Sequence, residues 1–200
     1  MFVLTLDQQQ SRDRQDAVAA LLTRLNAPER RDGVLRDFER TAGDEAQGVV
    51  SAPETLLDIV LTLVREQCWH IGVGIGTVDE PLPASTRAGR GAAFVRARTA
   101  VGRAKSAPHR LSVVGAVDAG DYRAEHVETV LWLLAAVVAR RSARGWEVAD
   151  MLAQGMTRGR IADVLGISAS AVSQRLQVAG VVEEQRGRAL ALALLAEADR

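Results

Sequence analysis

The side chains best suited to direct chemistry with a partner lie between Thr157 and Leu176, TRGRIADVLGISASAVSQRL, where short hydroxyl and amide groups recur along one helical pattern. Ala169, Ser170, Ser173, Gln174 and Gln177 face outward, with Arg175 at the flank. Groups of these types can enter a major groove and bond base edges or phosphates. Arg158 and Ser168 complete the set expected to face double-stranded DNA. The elements that must position them carry the right punctuation. Thr157 is placed to N-cap one helix, Ile161, Ala162, Val164 and Leu165 recur at helical spacing, and Gly166 can take the positive φ of a tight turn. Ser168 then caps a second helix, Ala169 to Val178, whose Val172 and Leu176, with Ile167 before it, lean back onto a scaffold. The pattern is that of a helix-turn-helix. A helical hairpin that only packs, or one that contacts protein without DNA, is the alternative.

Composition bounds the remainder. With 48% hydrophobic and 25% charged residues, the 200-residue chain suits one large globular domain or two small ones. Its formal net charge of zero excludes a general polycation, so any nucleic-acid contact must come from a local surface. From Arg140 onward nine Arg stand against seven Asp or Glu. The single cysteine, Cys68, excludes an internal disulfide or a cysteine-rich zinc site and fits a reducing cytoplasm, with Cys68 as a small buried side chain. MFVLTLDQQQ has no basic start and turns polar after six residues, so no signal peptide is expected. The apolar run Val130 to Ala139 is about half a membrane span, so it reads as a buried helix and no membrane partner is expected.

In chain order, Phe2 to Leu6 reads as a central strand delivering Asp7 to its end, and Ser11 to Leu25 as a helix with Val18, Leu21, Leu22 and Leu25 inward. Two short extended segments, around Phe38 and at Val49–Val50, flank Ala42-Gly43-Asp44-Glu45 and predict a hairpin with two carboxylates at its tip. Pro53 to Arg65 is helical. In His70-Ile-Gly-Val-Gly-Ile-Gly76, glycines alternate with Ile71, Val73 and Ile75, so one strand face has no side chains and must meet a backbone, a partner subunit or a ligand. Gly91 to Lys105 is a helix with a basic surface of Arg96, Arg98, Arg103 and Lys105, and His109 to Val117 a further strand. The order gives a ferredoxin-like βαββαβ core with an addition. Glu125 to Ser142 then forms a connecting or dimerising helix broken by Gly145, with Trp132 in the core. The closing helix, about Val182 to Ala196, covers the C-terminal module or pairs with a second copy.

Asp7 at the first strand's end, Thr41-Ala-Gly-Asp-Glu-Ala-Gln-Gly48 on the hairpin, the IGVGIG strand and GAAFVRARTAV on the next helix together resemble the SatD family over the whole chain. Proteins of that type look like distant relatives of the class III nucleotide cyclases and diguanylate cyclases, whose palm domains carry a Gly-Asp-Glu hairpin. The resemblance implies magnesium ligands at Asp7 and at Asp44 or Glu45, and a triphosphate contact at Lys105; Gly43 and Arg98 are further candidate nucleotide contacts. Here the signature reads Ala42-Gly43-Asp44-Glu45-Ala46, without its aromatic, and Gln8-Gln9-Gln10 follow Asp7 where a diguanylate cyclase has a second acid. A structural hairpin, a nucleotide or metal sensor and an active cyclase stay open, since Gly and Asp suit a tight turn by themselves.

The expected organisation is a mixed α/β (α+β) protein: a ferredoxin-like palm over residues 1–120, a connecting or dimerisation helix over 121–145, and an all-α helix-turn-helix domain over 146–200. The expected function is a cytoplasmic, homodimeric transcriptional regulator whose palm dimerises or senses a nucleotide. The alternative is a magnesium-dependent nucleotidyl cyclase or cyclic dinucleotide synthase using Asp7 and Asp44.

Overall fold

The computed structural model describes residues 1–9, 15–28, 32–116 and 121–200. Among them, eight α-helices surround one five-stranded mixed sheet. Strands β1 (Phe2–Gln8), β2 (Val34–Arg40), β3 (Glu45–Val50), β4 (Trp69–Ile75) and β5 (Leu111–Val114) lie in the order β2-β3-β1-β4-β5. β5 is parallel to β4, and every other neighbouring pair is antiparallel. The run FVLTL is therefore the central strand. The hairpin between β2 and β3 turns through residues 41–44, as the Gly-Asp pair there requires.

Strand alternation divides β1 between two layers. Phe2, Leu4 and Leu6 are fully buried on one face, under α1 (Val18–Leu25), α2 (Pro53–Glu66) and α4 (Arg123–Ala139). Burial of such side chains contributes about 1.5–3 kcal/mol each. Val3 and Val49 point to the opposite face and pack on Ala93, Phe94 and Ala97 of α3 (Ala92–Ala104). The bare glycine face of β4 meets α3, so of the three occupants the sequence allows, the backbone is the one present. A Cβ on Gly72 would lie 2.3 Å from the Val101 nitrogen, and one on Gly74 only 2.1 Å from the Ala93 oxygen. Glycine is what lets helix and sheet touch main chain to main chain.

Four further helices follow: α5 (Ala143–Ala153), α6 (Arg158–Leu165), α7 (Ala169–Val178) and α8 (Val181–Ala198). The first three share a small core of Val148, Ile161, Ala162, Val172 and Leu176. α8 runs back along α4, and its Ala191 and Leu195 are fully buried in the large core with the sheet.

Several boundaries differ from the sequence expectation. Gly145 does not break a helix; it lies inside α5, and the chain turns instead at residues 140–142, where Ser142 caps α5 by accepting from the Gly145 N–H. Arg141 must enter the interior there, and a side-chain anchor ends α4 without help from glycine. α1 starts at Val18, with residues 15–17 outside it, because Gln8 holds that approach: its Oε1 accepts from the Ala17 N–H and its Nε2 donates to the Gln15 carbonyl. The part of the expected helix at residues 11–14 lies outside the described residues. β5 is confined to Leu111–Val114, because His109 and Arg110 take positive φ; Val117 lies outside the described residues. Val164, placed inward by its spacing, is 49% exposed. Trp132 is part-buried, its indole N–H donating to the Leu111 carbonyl at 2.7 Å. No helix among the described residues is long and apolar enough to cross a membrane.

Candidate functional site

Three cross-strand rows run down the α3 face of the sheet, because β1 is in register with both neighbours. They are Val49–Val3–Gly74, Gln47–Thr5–Gly72 and Glu45–Asp7–His70. The rows change from apolar, through a buried hydrogen bond from Gln47 Nε2 to Thr5 Oγ1 (3.0 Å), to a charged end. At that end Asp7 Oδ1 is 2.9 Å from His70 Nδ1, and Asp7 Oδ2 is 3.6 Å from the Nζ of Lys105, the residue that ends α3. Asp7, near the end of β1, and Lys105, just after α3, are thus brought together. His70 was missed as a site residue. It shares the face of Gly72 and Gly74 by simple alternation, and that parity was the available signal.

The hairpin residues stand beside this row. Glu45 Oε1 accepts from Thr41 Oγ1 at 2.6 Å, and the Asp44 carbonyl accepts from the Gln8 N–H. Gly43 takes φ 53°, and its carbonyl accepts from Arg40 at 2.6 Å. The same guanidinium bonds Asp16 and, with the Val18 N–H, holds that carboxyl below its usual range. Arg98 is exposed on α3, two turns before Lys105 along the same edge, and is not part of the Asp7 cluster. Among the described residues no three His, Cys, Asp or Glu side chains are grouped to hold a metal ion. Asp7 is turned to two nitrogen partners, one on His70 and one on Lys105.

On the C-terminal unit the caps fall where the sequence puts them. Thr157 Oγ1 accepts from the Arg160 N–H, and Ser168 Oγ from the Ala171 N–H. Gly166 takes φ 62°, and the following Ile167 N–H closes onto the Ala162 carbonyl, a left-handed helix ending. Val172 and Leu176 face the small core, while Ser168, Ala169, Ser170, Gln174 and Gln177 are exposed and Ser173 is half-buried. Arg158 and Arg160 are exposed at the start of α6. Arg175 is half-buried at the flank, its guanidinium 3.4 Å from Glu147 of α5.

An ionic seam joins this unit to the sheet half across a cleft of about 1010 Å³. Arg65 of α2 makes two 2.8 Å bonds to Asp150 of α5, and its guanidinium lies 3.7 Å from the centre of the Trp146 ring. Arg141 lies 4.4 Å from the same ring. Its buried guanidinium donates to Glu184 at 2.6 Å and to the Ala179 carbonyl at 2.8 Å. Compared with protein-family models, curated proteins and solved structures, the chain finds no match in any of the three.

Proposed function

We propose that the protein is a DNA-binding regulator in which α5, α6 and α7 form a helix-turn-helix unit with α7 as the recognition helix. One observation carries this reading. α7 is held from beneath by Val172 and Leu176, and it offers solvent a face of Ser170, Gln174 and Gln177 beside the exposed Arg158 and Arg160. A helix seated this way can place amides and hydroxyls on base edges while the arginines meet phosphates. The antiparallel order β2-β3-β1-β4 supports reading the sheet as a ferredoxin-like palm, and the quoted motifs support membership of the SatD family. The partner copy in a homodimer would find apolar contacts at Val178, Val182 and Leu190, which are 80%, 54% and 54% exposed. Selection of bound duplexes from a random pool tests the reading. It should yield a two-fold symmetric site, with Gln174→Ala relaxing selectivity, Arg175→Ala weakening binding, and Arg158→Ala lowering affinity evenly and the salt slope by about one. Binding unaltered in all three variants removes the proposal.

A second reading rests on Asp7 and Lys105 converging beside the hairpin. There the palm holds a nucleotide, with Lys105 meeting phosphate, as a sensor or, with Asp7 and Asp44, as a cyclase. Incubation with each labelled nucleoside triphosphate and Mg²⁺ or Mn²⁺ separates these. Product abolished by Asp44→Ala supports the enzyme, thermal stabilisation without turnover supports the sensor, and neither leaves a structural hairpin.

A further inference from the structure

From Pro81 to Val117 the chain has seven Lys or Arg and no Asp or Glu, leaving eighteen Lys and Arg against all twenty-five acids elsewhere. The zero net charge therefore conceals a strongly basic segment, and α3 is its centre. On α3 the exposed surface has an ordered plan. Val95, Thr99 and Gly102 run along its middle at helical spacing, Arg98 and Lys105 border one side, and Arg103 borders the other. Among the described residues Arg98 and Arg103 meet no carboxylate, and the only ion pair from this border is that of Lys105 to Asp7.

Ordinary solvation does not explain this plan. A solvated helix interleaves acids with bases, and α3 has no acid at all. The helix dipole favours Arg103 and Lys105 at the C-terminal end, yet Arg90 precedes the N-terminal end, where a cation is disfavoured. Gly102 is the more telling residue. A glycine inside a helix is destabilising relative to alanine, and here no neighbour would meet an added Cβ, so internal packing gives no reason for it. A partner outside the chain that comes close to the middle of the face would account for it.

We propose that the outer face of α3 binds the phosphodiester backbone of a nucleic acid, laid along Val95, Thr99 and Gly102 with Arg98 and Arg103 on its phosphates. Arginine suits this because its planar fork bonds phosphate oxygens in pairs. A membrane surface fits less well, since the face carries one large exposed apolar side chain, Val95, and no exposed aromatic to insert. α3 packs on the opposite side of the sheet from α2 and α4, so this surface is separate from α7 and does not rest on the reading of α7 as a recognition helix.

The test uses the full chain with a mixed-sequence DNA duplex, the same sequence as an RNA duplex, and vesicles of phosphatidylcholine and phosphatidylserine in equal parts. To remove the α6–α7 surface as a source, every measurement is repeated on an Arg158→Gln/Arg160→Gln/Gln174→Ala background. At low salt the protein should bind one or both duplexes on either background. Arg98→Gln/Arg103→Gln should reduce the slope of log affinity against log salt by about two, near 0.9 for each lost phosphate contact. Gly102→Ala should raise the melting temperature while weakening binding, and Gly102→Leu should weaken binding further. Duplex affinity and salt slope unchanged by the arginine pair, Gly102 variants that bind like the parent, or binding to vesicles and to neither duplex would each overturn the proposal.

Discussion

The sheet half and the α5–α7 unit hold together by different means. The sheet is covered on one face by a large apolar core reaching from Phe2 to Leu195, and on the other by α3 seated on bare main chain. The α5–α7 unit has a core cluster of five buried apolar residues and, around it, a set of short-range devices: three side-chain N-caps and a positive-φ glycine after each helix, Gly155, Gly166 and Gly180. A core of that size does not stabilise an independent domain. The unit's shape is specified locally, and its stability is drawn from the seam of Arg65, Trp146, Arg141 and Glu184 and from α8, which belongs to both sides. A surface that reads DNA needs a fixed shape more than a deep core, and that division suits the role proposed for it.

The largest effect is expected at Gly74 in the sheet half. Valine there would drive its Cβ into the Ala93 carbonyl at 2.1 Å and the Ala97 nitrogen at 2.3 Å, neither of which can rotate away. α3 must separate from β4, with an expected loss of about 3 kcal/mol in urea unfolding. A loss below about 1 kcal/mol would mean that the helix can slide and that close contact is not what holds this face.

Arg141→Ala tests the seam. It takes the buried guanidinium from the Ala179 carbonyl and from Glu184, which among the described residues keeps only Arg188 at 3.9 Å, and removes one side of the Trp146 stack. Loss of one member of a buried pair is expected to cost about 3 kcal/mol. Hydrogen exchange gives the sharper readout, since amides of α5–α7 should lose protection while those of β1 and β4 keep theirs. Equal loss in both regions would show one cooperative unit and dissolve the distinction. Thr157→Ala and Ser168→Ala are smaller tests of the same kind. Each removes one cap bond, with an expected loss of about 1 kcal/mol confined to α6 or α7.

Legibility in the sequence followed the same division. In the C-terminal unit Thr157, Gly166 and Ser168 act within a few residues of themselves, so their roles could be read from local spacing. In the sheet half, the first strand as the central one and the bare glycine face were legible, since the apolar run and period-two alternation are also local. Which partner filled the glycine face was not, because α3 returns from some twenty residues away. His70 and Arg141 were missed for the same reason. His70 acquires its role only when β4 pairs with β1, and Arg141 only when α8 comes back over α4. Gln8 and Gln9, read as departures from a cyclase pattern, serve the fold: Gln8 holds the approach to α1, and the Gln9 N–H donates to the Cys68 carbonyl.

The smallest expected effect comes from acid. Asp121, just before α4, accepts two side-chain bonds from Arg123 at 2.9 and 2.7 Å and a third from the Arg123 N–H. Arg123, through these bonds, lowers its carboxyl to about 2. A carboxylate depressed on folding stabilises the native state above its unfolded value, near 4, and that contribution is lost as pH falls towards about 2. Asp16, held down by Arg40, acts in the same direction, and both lie in the sheet half. Urea midpoints should therefore decline through this window, and Asp121→Asn should shallow the decline while lowering the midpoint slightly at neutral pH. Added salt should shrink the difference between parent and variant, because both groups of the pair are open to solvent. Read by hydrogen exchange, the loss should begin at the start of α4 and spare α7. A variant whose acid limb superimposes on the parent would remove Asp121 as a source of this pH dependence and leave Asp16 as the residue to change next.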